Sequence, residues 1–221
     1  NKNIPALDNA RGTSDFKTER ELILKYSKDW AERSSRELEV SYEITGEENI
    51  PKNGPIMVYA NHQGLADILA LLYLFRNHFQ LGFVAKEEWR KFKPLAKAIK
   101  YTRSIFLSRN NPKAALGAIS ECTDLLSKGF SIAIFPEGTR SKGHEMGEFK
   151  AGAFKFAEKG KVPILPITLD GSYKMYEEKK SFRYNQTIKI KVHPLVHFEK
   201  MDRIQRKNAS IEIENTIRSS L

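Results

Sequence analysis

Apolar and polar positions follow two rhythms along the chain, and the change from one to the other predicts its elements. Residues 1–18 are polar, carry Pro5 and Gly12, and show no period, which predicts a flexible lead-in. From about Thr18 to Glu37, Leu22, Tyr26, Trp30 and Arg33 recur at four- and three-residue steps among charges, the spacing of one helix face. Leu38-Glu39-Val40-Ser41-Tyr42-Glu43-Ile44 alternates strictly and predicts a half-exposed strand, followed by a turn over 49–54 with Pro51 and Asn53-Gly54. Short apolar runs then predict strands at 56–60, 81–85, 104–107, 130–135, 164–169 and 186–193. Helical patterns fall between and after them, at 65–78, 94–101, 112–128, 151–159 and 203–219. Pro112 opens one of these helices, and Gly129 and Gly160 close two. The repetition of strand, helix and strand predicts an α/β fold, a largely parallel twisted sheet flanked by helices in one domain. On this reading residues 1–37 are a lead-in and an N-terminal helix, and 38–221 form the α/β domain.

Composition narrows the class. Hydrophobic residues make up 40% of the chain and charged residues 29%, a balance that excludes a disordered polyelectrolyte. The only cysteine is Cys122, so no intramolecular disulfide forms, as suits a reducing compartment. A net charge of +10 points to a polyanionic partner: nucleic acid, an anionic membrane face or a phosphorylated substrate. The longest apolar run, 68–75, falls far short of the ~20 residues that cross a bilayer.

In open parallel sheets the working site lies beyond the carboxyl ends of the strands. Just past four successive predicted strands stand His62, Lys86, Arg109, and Glu137 with Arg140. Each can handle a proton, a hydroxyl or a phosphate. His62 is followed five residues later by Asp67; on a continuous helix two such positions point about 140° apart. Contact between them therefore requires a turn, with Asp67 in the first turn of the next helix, where the helix dipole favours a carboxylate. That contact would hold one imidazole nitrogen and leave the other to take a proton. In Phe135-Pro136-Glu137-Gly138-Thr139-Arg140-Ser141, Pro136 stops the strand and Gly138 permits a tight turn that can bring N–H groups toward an anion. Arg140 can grip a phosphate through two nitrogens, with Lys86 as a point charge beside it. Taken alone, the same letters fit an ordinary turn with a surface salt bridge.

Together these stretches resemble the glycerophospholipid acyltransferase family, specifically the 1-acyl-glycerol-3-phosphate (lysophosphatidate) acyltransferases. Four blocks carry the resemblance: Asn61-His62-Gln63-Gly64-Leu65-Ala66-Asp67, Ser104-Ile105-Phe106-Leu107-Ser108-Arg109, Phe135 to Ser141, and Val162-Pro163-Ile164-Leu165-Pro166-Ile167. It covers about residues 38–195, and the first and third blocks together are highly specific. Gly64 stands where the family often has serine, and the second block lacks its frequent opening glycine. The resemblance implies transfer of a fatty acyl group from acyl-CoA or acyl-carrier protein, as co-substrate without a further cofactor or metal, to the 2-hydroxyl of lysophosphatidate. His62 is implied as general base, Asp67 as its orienting partner and Glu137 as a residue positioning the glycerol hydroxyl. The Gly138-Thr139-Arg140 turn, Arg109 and Lys86 are implied on the phosphate side. It also implies the cytoplasmic face of a membrane, held peripherally or by an N-terminal anchor outside this chain, which opens at Asn1.

Other readings weigh less. Cys122 lies mid-helix with no histidine near it in sequence, and Gly129-Phe130-Ser131 sets a serine at the wrong end of a strand for a nucleophile elbow. Gly138 to Gly143 matches half a phosphate-binding loop, with His144 in place of its lysine. His193 and His197 have a metal-like interval, but Pro194 prevents a shared helical face. The remaining alternatives are an acyltransferase for another acceptor, or a basic binding module built on Trp89-Arg90-Lys91-Phe92-Lys93. Aromatics among lysines suit an anionic lipid interface, and no nucleic-acid module is present.

Overall fold

The computed structural model of the protein describes residues 4–108 and 111–221. One sheet organises it. Its strands are β1 (Ser41–Thr45), β2 (Met57–Ala60), β3 (Leu81–Lys86), β4 (Ile105–Leu107), β5 (Ser131–Ile134), β6 (Ile164–Asp170) and β7 (Thr187–Val192), in the order β1-β7-β6-β2-β5-β3-β4. Among the described strands five neighbouring pairs are parallel, and β6 with β7 is antiparallel. The α/β architecture expected from the chain is thus present. What alternation could not reveal is direction: β7 and its parallel neighbour β1 run against the other strands.

Among the described residues seven helices cover the sheet: α1 (Ile4–Gly12), α2 (Phe16–Glu37), α3 (Ala66–Phe75), α4 (Lys93–Tyr101), α5 (Pro112–Ser127), α6 (Lys155–Gly160) and α7 (Arg203–Arg218). All four residues of β2 are buried, because this strand is sandwiched on both faces and so reads as an unbroken apolar run. Successive residues of β2 feed opposite sides. Met57 and Tyr59 join a core with Ile23, Cys122, Leu126, Phe156 and Ile213, contributed by α2, α5, α6 and α7. Val58 and Ala60 join a second core with Leu69, Leu71 and Phe75 of α3. The helix after β2 therefore lies on one face and the helix after β5 on the other. The crevice opens where those two neighbouring strands end, the topological switch point of an open sheet.

The flexible lead-in expected over 1–18 is overturned for the residues described: 4–12 form α1, and Leu7 and Ala10 are buried. Tertiary charge pairing, not local periodicity, holds it. Glu19, fully buried on α2, accepts from Arg11 Nε at 2.6 Å and from Arg103 Nε and Nη2 at 2.7 and 2.9 Å. Burial alone would raise the Glu19 carboxyl, but the hydrogen bonds from Arg103 and Arg11 outweigh it and its pKa is lowered. The segment expected as a helix over 151–159 starts with a 3₁₀ turn at Ala151–Phe154 before α6. The last helix begins with a capping box, Asp202 accepting from the Gln205 N–H while the Gln205 side chain takes the Asp202 N–H.

Candidate active site

His62 leaves the end of β2 and Asp67 enters the first turn of α3, the turned arrangement that the five-residue spacing requires. His62 Nδ1 and Asp67 Oδ2 are 2.7 Å apart. A carboxylate can only accept, so Nδ1 is the donor, and in the neutral ring it is Nε2 that carries the lone pair. Asp67 is fully buried and saturated: Oδ2 also accepts from Gly64 N at 2.8 Å, and Oδ1 accepts from the Ser172 hydroxyl. The imidazole lies flat on Phe135, ring centres 3.9 Å apart at 12°. Its plane is therefore fixed from two directions, and no described residue bonds Nε2.

Glu137 follows β5, the neighbour of β2. Its Oε1 accepts the His62 N–H at 2.6 Å and its Oε2 accepts the Gly147 N–H at 2.7 Å. Burial raises the Glu137 carboxyl above its ordinary pKa, against the pull of those two N–H groups. Gly147 is in turn braced from the chain's other end, since Arg218 on α7 donates to the Met146 and Gly147 carbonyls at 3.0 and 3.2 Å. Two further bonds join the loops after β2 and β5: Ser141 N to His62 O at 2.7 Å and Lys142 N to Gln63 O at 3.1 Å. Asn61 extends the strand pairing by clasping Leu169 N and O of β6, both at 2.8 Å. Gln63 reaches Gly171 N at 2.9 Å and His144 O at 3.1 Å.

The structure thus brings His62, Asp67, Glu137 and Arg140 onto one rim. Gly138 adopts φ +77°, a conformation suited to glycine, and its own N–H closes the turn on Phe135 O at 3.0 Å instead of facing outward. Thr139 is exposed in that turn. Arg140 Nη1 pairs with Glu177 Oε1 at 2.7 Å. Lys86 ends β3 two strands from β2, exposed, while Arg109 lies outside the described residues. Ser172, Gln63 and Glu177 were not anticipated. Ser172 had a readable signal, because Asp170-Gly171-Ser172 ends a fifth strand on this rim. Glu177, in an irregular segment, had none.

The competing sites do not assemble. Burial pushes the Cys122 thiol up to about 12, leaving no thiolate near neutral pH. Ser131 is fully buried, its hydroxyl accepting the Ile56 N–H at 3.2 Å. His193 bonds Thr168 and His197 bonds Glu199, so the pair shares no ligand. Among the described residues, no three His, Cys, Asp or Glu side chains gather to hold a metal.

A family model described as Acyltransferase matches residues 41–170, more than half the chain. The chain belongs to the acyltransferase family. It is 30% identical over 174 residues to a 1-acyl-sn-glycerol-3-phosphate acyltransferase of Borreliella burgdorferi, covering 79% of this chain and 69% of that one. A chloroplastic 1-acyl-sn-glycerol-3-phosphate acyltransferase of Brassica napus is 33% identical over 162 residues, 72% of this chain but 46% of the plant protein. The crystal structure of the 1-acyl-sn-glycerophosphate acyltransferase PlsC of Thermotoga maritima superposes with a TM-score of 0.77 at 28% identity, over 92% of this chain and 80% of that one. In this acyltransferase the matched span runs from the start of β1 to the end of β6. It includes His62, Asp67, Lys86, Glu137 and Arg140, and stops before Ser172 and Glu177. Beside the rim, Trp89 and Phe92 are 41% and 59% exposed, and no residue of the Glu87–Lys91 turn or of α4 is buried. Among the described residues no helix is long and apolar enough to cross a membrane.

Proposed function

We propose that this acyltransferase moves a fatty acyl group from the thioester of acyl-CoA or acyl-carrier protein to the 2-hydroxyl of lysophosphatidate, giving phosphatidate. The observation that carries the reading is the His62–Asp67 contact of 2.7 Å with Nε2 left to accept a proton. As the hydroxyl oxygen attacks the thioester carbonyl, His62 Nε2 takes its proton; when the tetrahedral intermediate collapses, the carbon–sulfur bond breaks and the thiolate receives that proton. Asp67 holds the ring and balances the imidazolium. Positioned general-base help of this kind contributes about 10²–10⁴ in rate. Glu137 orders the His62 backbone, and its carboxyl lies beside the path of the glycerol hydroxyl. Arg140, with Lys86 at the end of β3, faces the phosphate, and Arg109, outside the described residues, is assigned to the same role from the sequence alone. The names of the relatives support this acceptor class. The exposed Trp89 and Phe92 among Lys86, Lys91, Lys93 and Lys97 support peripheral docking on the anionic cytoplasmic face of a membrane, where a lysolipid resides.

The test is free-thiol release from a panel of acyl-CoA and acyl-carrier-protein donors with lysophosphatidate, glycerol 3-phosphate and other lysolipids. Lysophosphatidate should be the best acceptor, and His62→Ala should abolish release with the fold intact. Release that survives His62→Ala removes His62 as the base, and a better acceptor than lysophosphatidate replaces the substrate named here.

A further inference from the structure

The Arg140 guanidinium is already occupied by an anion, and the anion is part of the chain. Glu177 arrives from the segment after β6, has a side chain that is 3% exposed, and uses Oε1 twice: it accepts from Arg140 Nη1 at 2.7 Å and from Leu65 N, at the start of α3, at 2.9 Å. Its other oxygen, Oε2, is buried with no hydrogen-bond partner among the described residues. A guanidinium together with a helix-start N–H is the donor set that a phosphate oxygen recruits. A buried carboxylate with one oxygen unsatisfied is an incomplete occupant of such a seat, because an unpaired buried acceptor carries a desolvation penalty. The neighbouring glycine makes room for it. A Cβ at Gly64 would come within 2.5 Å of Glu177 Oε2, so the carboxylate sits where a larger side chain would displace it.

We propose that Glu177 is a built-in competitor for the acceptor's phosphate, filling the Arg140–Leu65 seat until the phosphate group displaces it. The inference rests on the proposed reading of Arg140 as a phosphate ligand. A phosphate monoester carries a charge of about −1.5 to −2 at pH 7, outweighing the single charge of Glu177. It also brings oxygens enough to use both donors. A neutral acceptor has nothing to drive the exchange and leaves the ion pair closed. Glu177 thereby weakens every anion that enters the seat and leaves a neutral acceptor unaffected, so it lowers the preference for the phosphorylated acceptor.

Two variants test this through different chemistry. Glu177→Gln keeps the size of the side chain and removes its charge. Gly64→Ala keeps the charge and crowds Oε2. In the full chain, binding of inorganic phosphate, read as a ligand-dependent thermal shift without turnover, should tighten about 3–10-fold in both variants, equivalent to roughly 0.7–1.4 kcal/mol. The kcat/KM ratio for lysophosphatidate over the corresponding monoacylglycerol should rise by a similar factor in Glu177→Gln, through KM. Phosphate binding that is unchanged or weaker in a folded Glu177→Gln protein overturns the proposal and makes Glu177 a tether for Arg140. If Glu177→Gln does not fold, Gly64→Ala decides by the same readout. Tighter phosphate binding without thiol release from lysophosphatidate leaves the internal competitor standing and removes the acyl acceptor instead.

Discussion

Replacing Asp67 by asparagine separates charge from geometry in this site. Asp67 Oδ2 receives two donors, His62 Nδ1–H at 2.7 Å and Gly64 N–H at 2.8 Å, while Oδ1 receives the Ser172 hydroxyl. The Gly64 N–H has no alternative to donating. An asparagine must therefore turn its oxygen toward Gly64 and His62 and its amide NH₂ toward Ser172, whose hydroxyl oxygen can accept. The donor from His62 Nδ1 survives, and what disappears is the negative charge beside the imidazolium that the proposed general-base step would form. With charge centres about 4 Å apart and an effective dielectric constant near 20, that interaction is worth ~4 kcal/mol. Asp67→Asn should accordingly lower kcat by about 10³, with KM for both substrates within about threefold. Stopped-flow thiol release at saturating donor and acceptor measures it, with circular dichroism as the control for folding. A loss of less than tenfold would refute the electrostatic role. A KM increase that accounts for the whole effect would show that Asp67 shapes the substrate site rather than the base.

Glu19→Gln leaves Arg11 and Arg103 without their shared carboxylate, and because both guanidinium groups keep some solvent contact the cost should be about 2–4 kcal/mol in urea unfolding; a change under 1 kcal/mol would mean that α1 is held by packing alone. His193 is buried, and desolvation lowers its pKa to about 4, against 6.5 when exposed. The unfolded chain therefore binds the extra proton first, and stability should fall as pH drops from about 6.5 to 4, by roughly 3 kcal/mol. His193→Gln should flatten that part of the Tm profile, and an unchanged slope would assign it to other groups. Replacing Lys91, Lys93 and Lys97 together by Gln should reduce pelleting with anionic liposomes, each lysine contributing about 1 kcal/mol near the surface; pelleting equal to wild type would discard the docking face.

Much of this site was legible because its chemistry stands at strand ends. Apolar runs that stop at His62, Lys86 and Glu137 locate one rim whatever the strand order, and the His-x4-Asp interval forces a turn that the structure contains. The rest depended on distant partners. α1 has too few apolar positions to declare itself, and it is tied down by the burial of Leu7 and Ala10 and by Glu19, which pairs with residues 8 and 84 positions away. The reversed direction of β7 leaves no mark on an alternating pattern. Glu177 reaches the site across 112 residues of chain from an irregular segment where no period points, whereas Ser172, 105 residues from Asp67, stands just past a strand end and was open to the same reading as His62.

Arg218 gives the far end of the chain a share in the chemistry. From this side chain a relay of polar contacts runs through the Gly147 peptide and Glu137 to the amide of His62. Removal of Arg218 is thus a perturbation of the footing of His62. Activity compared between versions of this protein with and without that side chain would report on that footing as well as on the substrate.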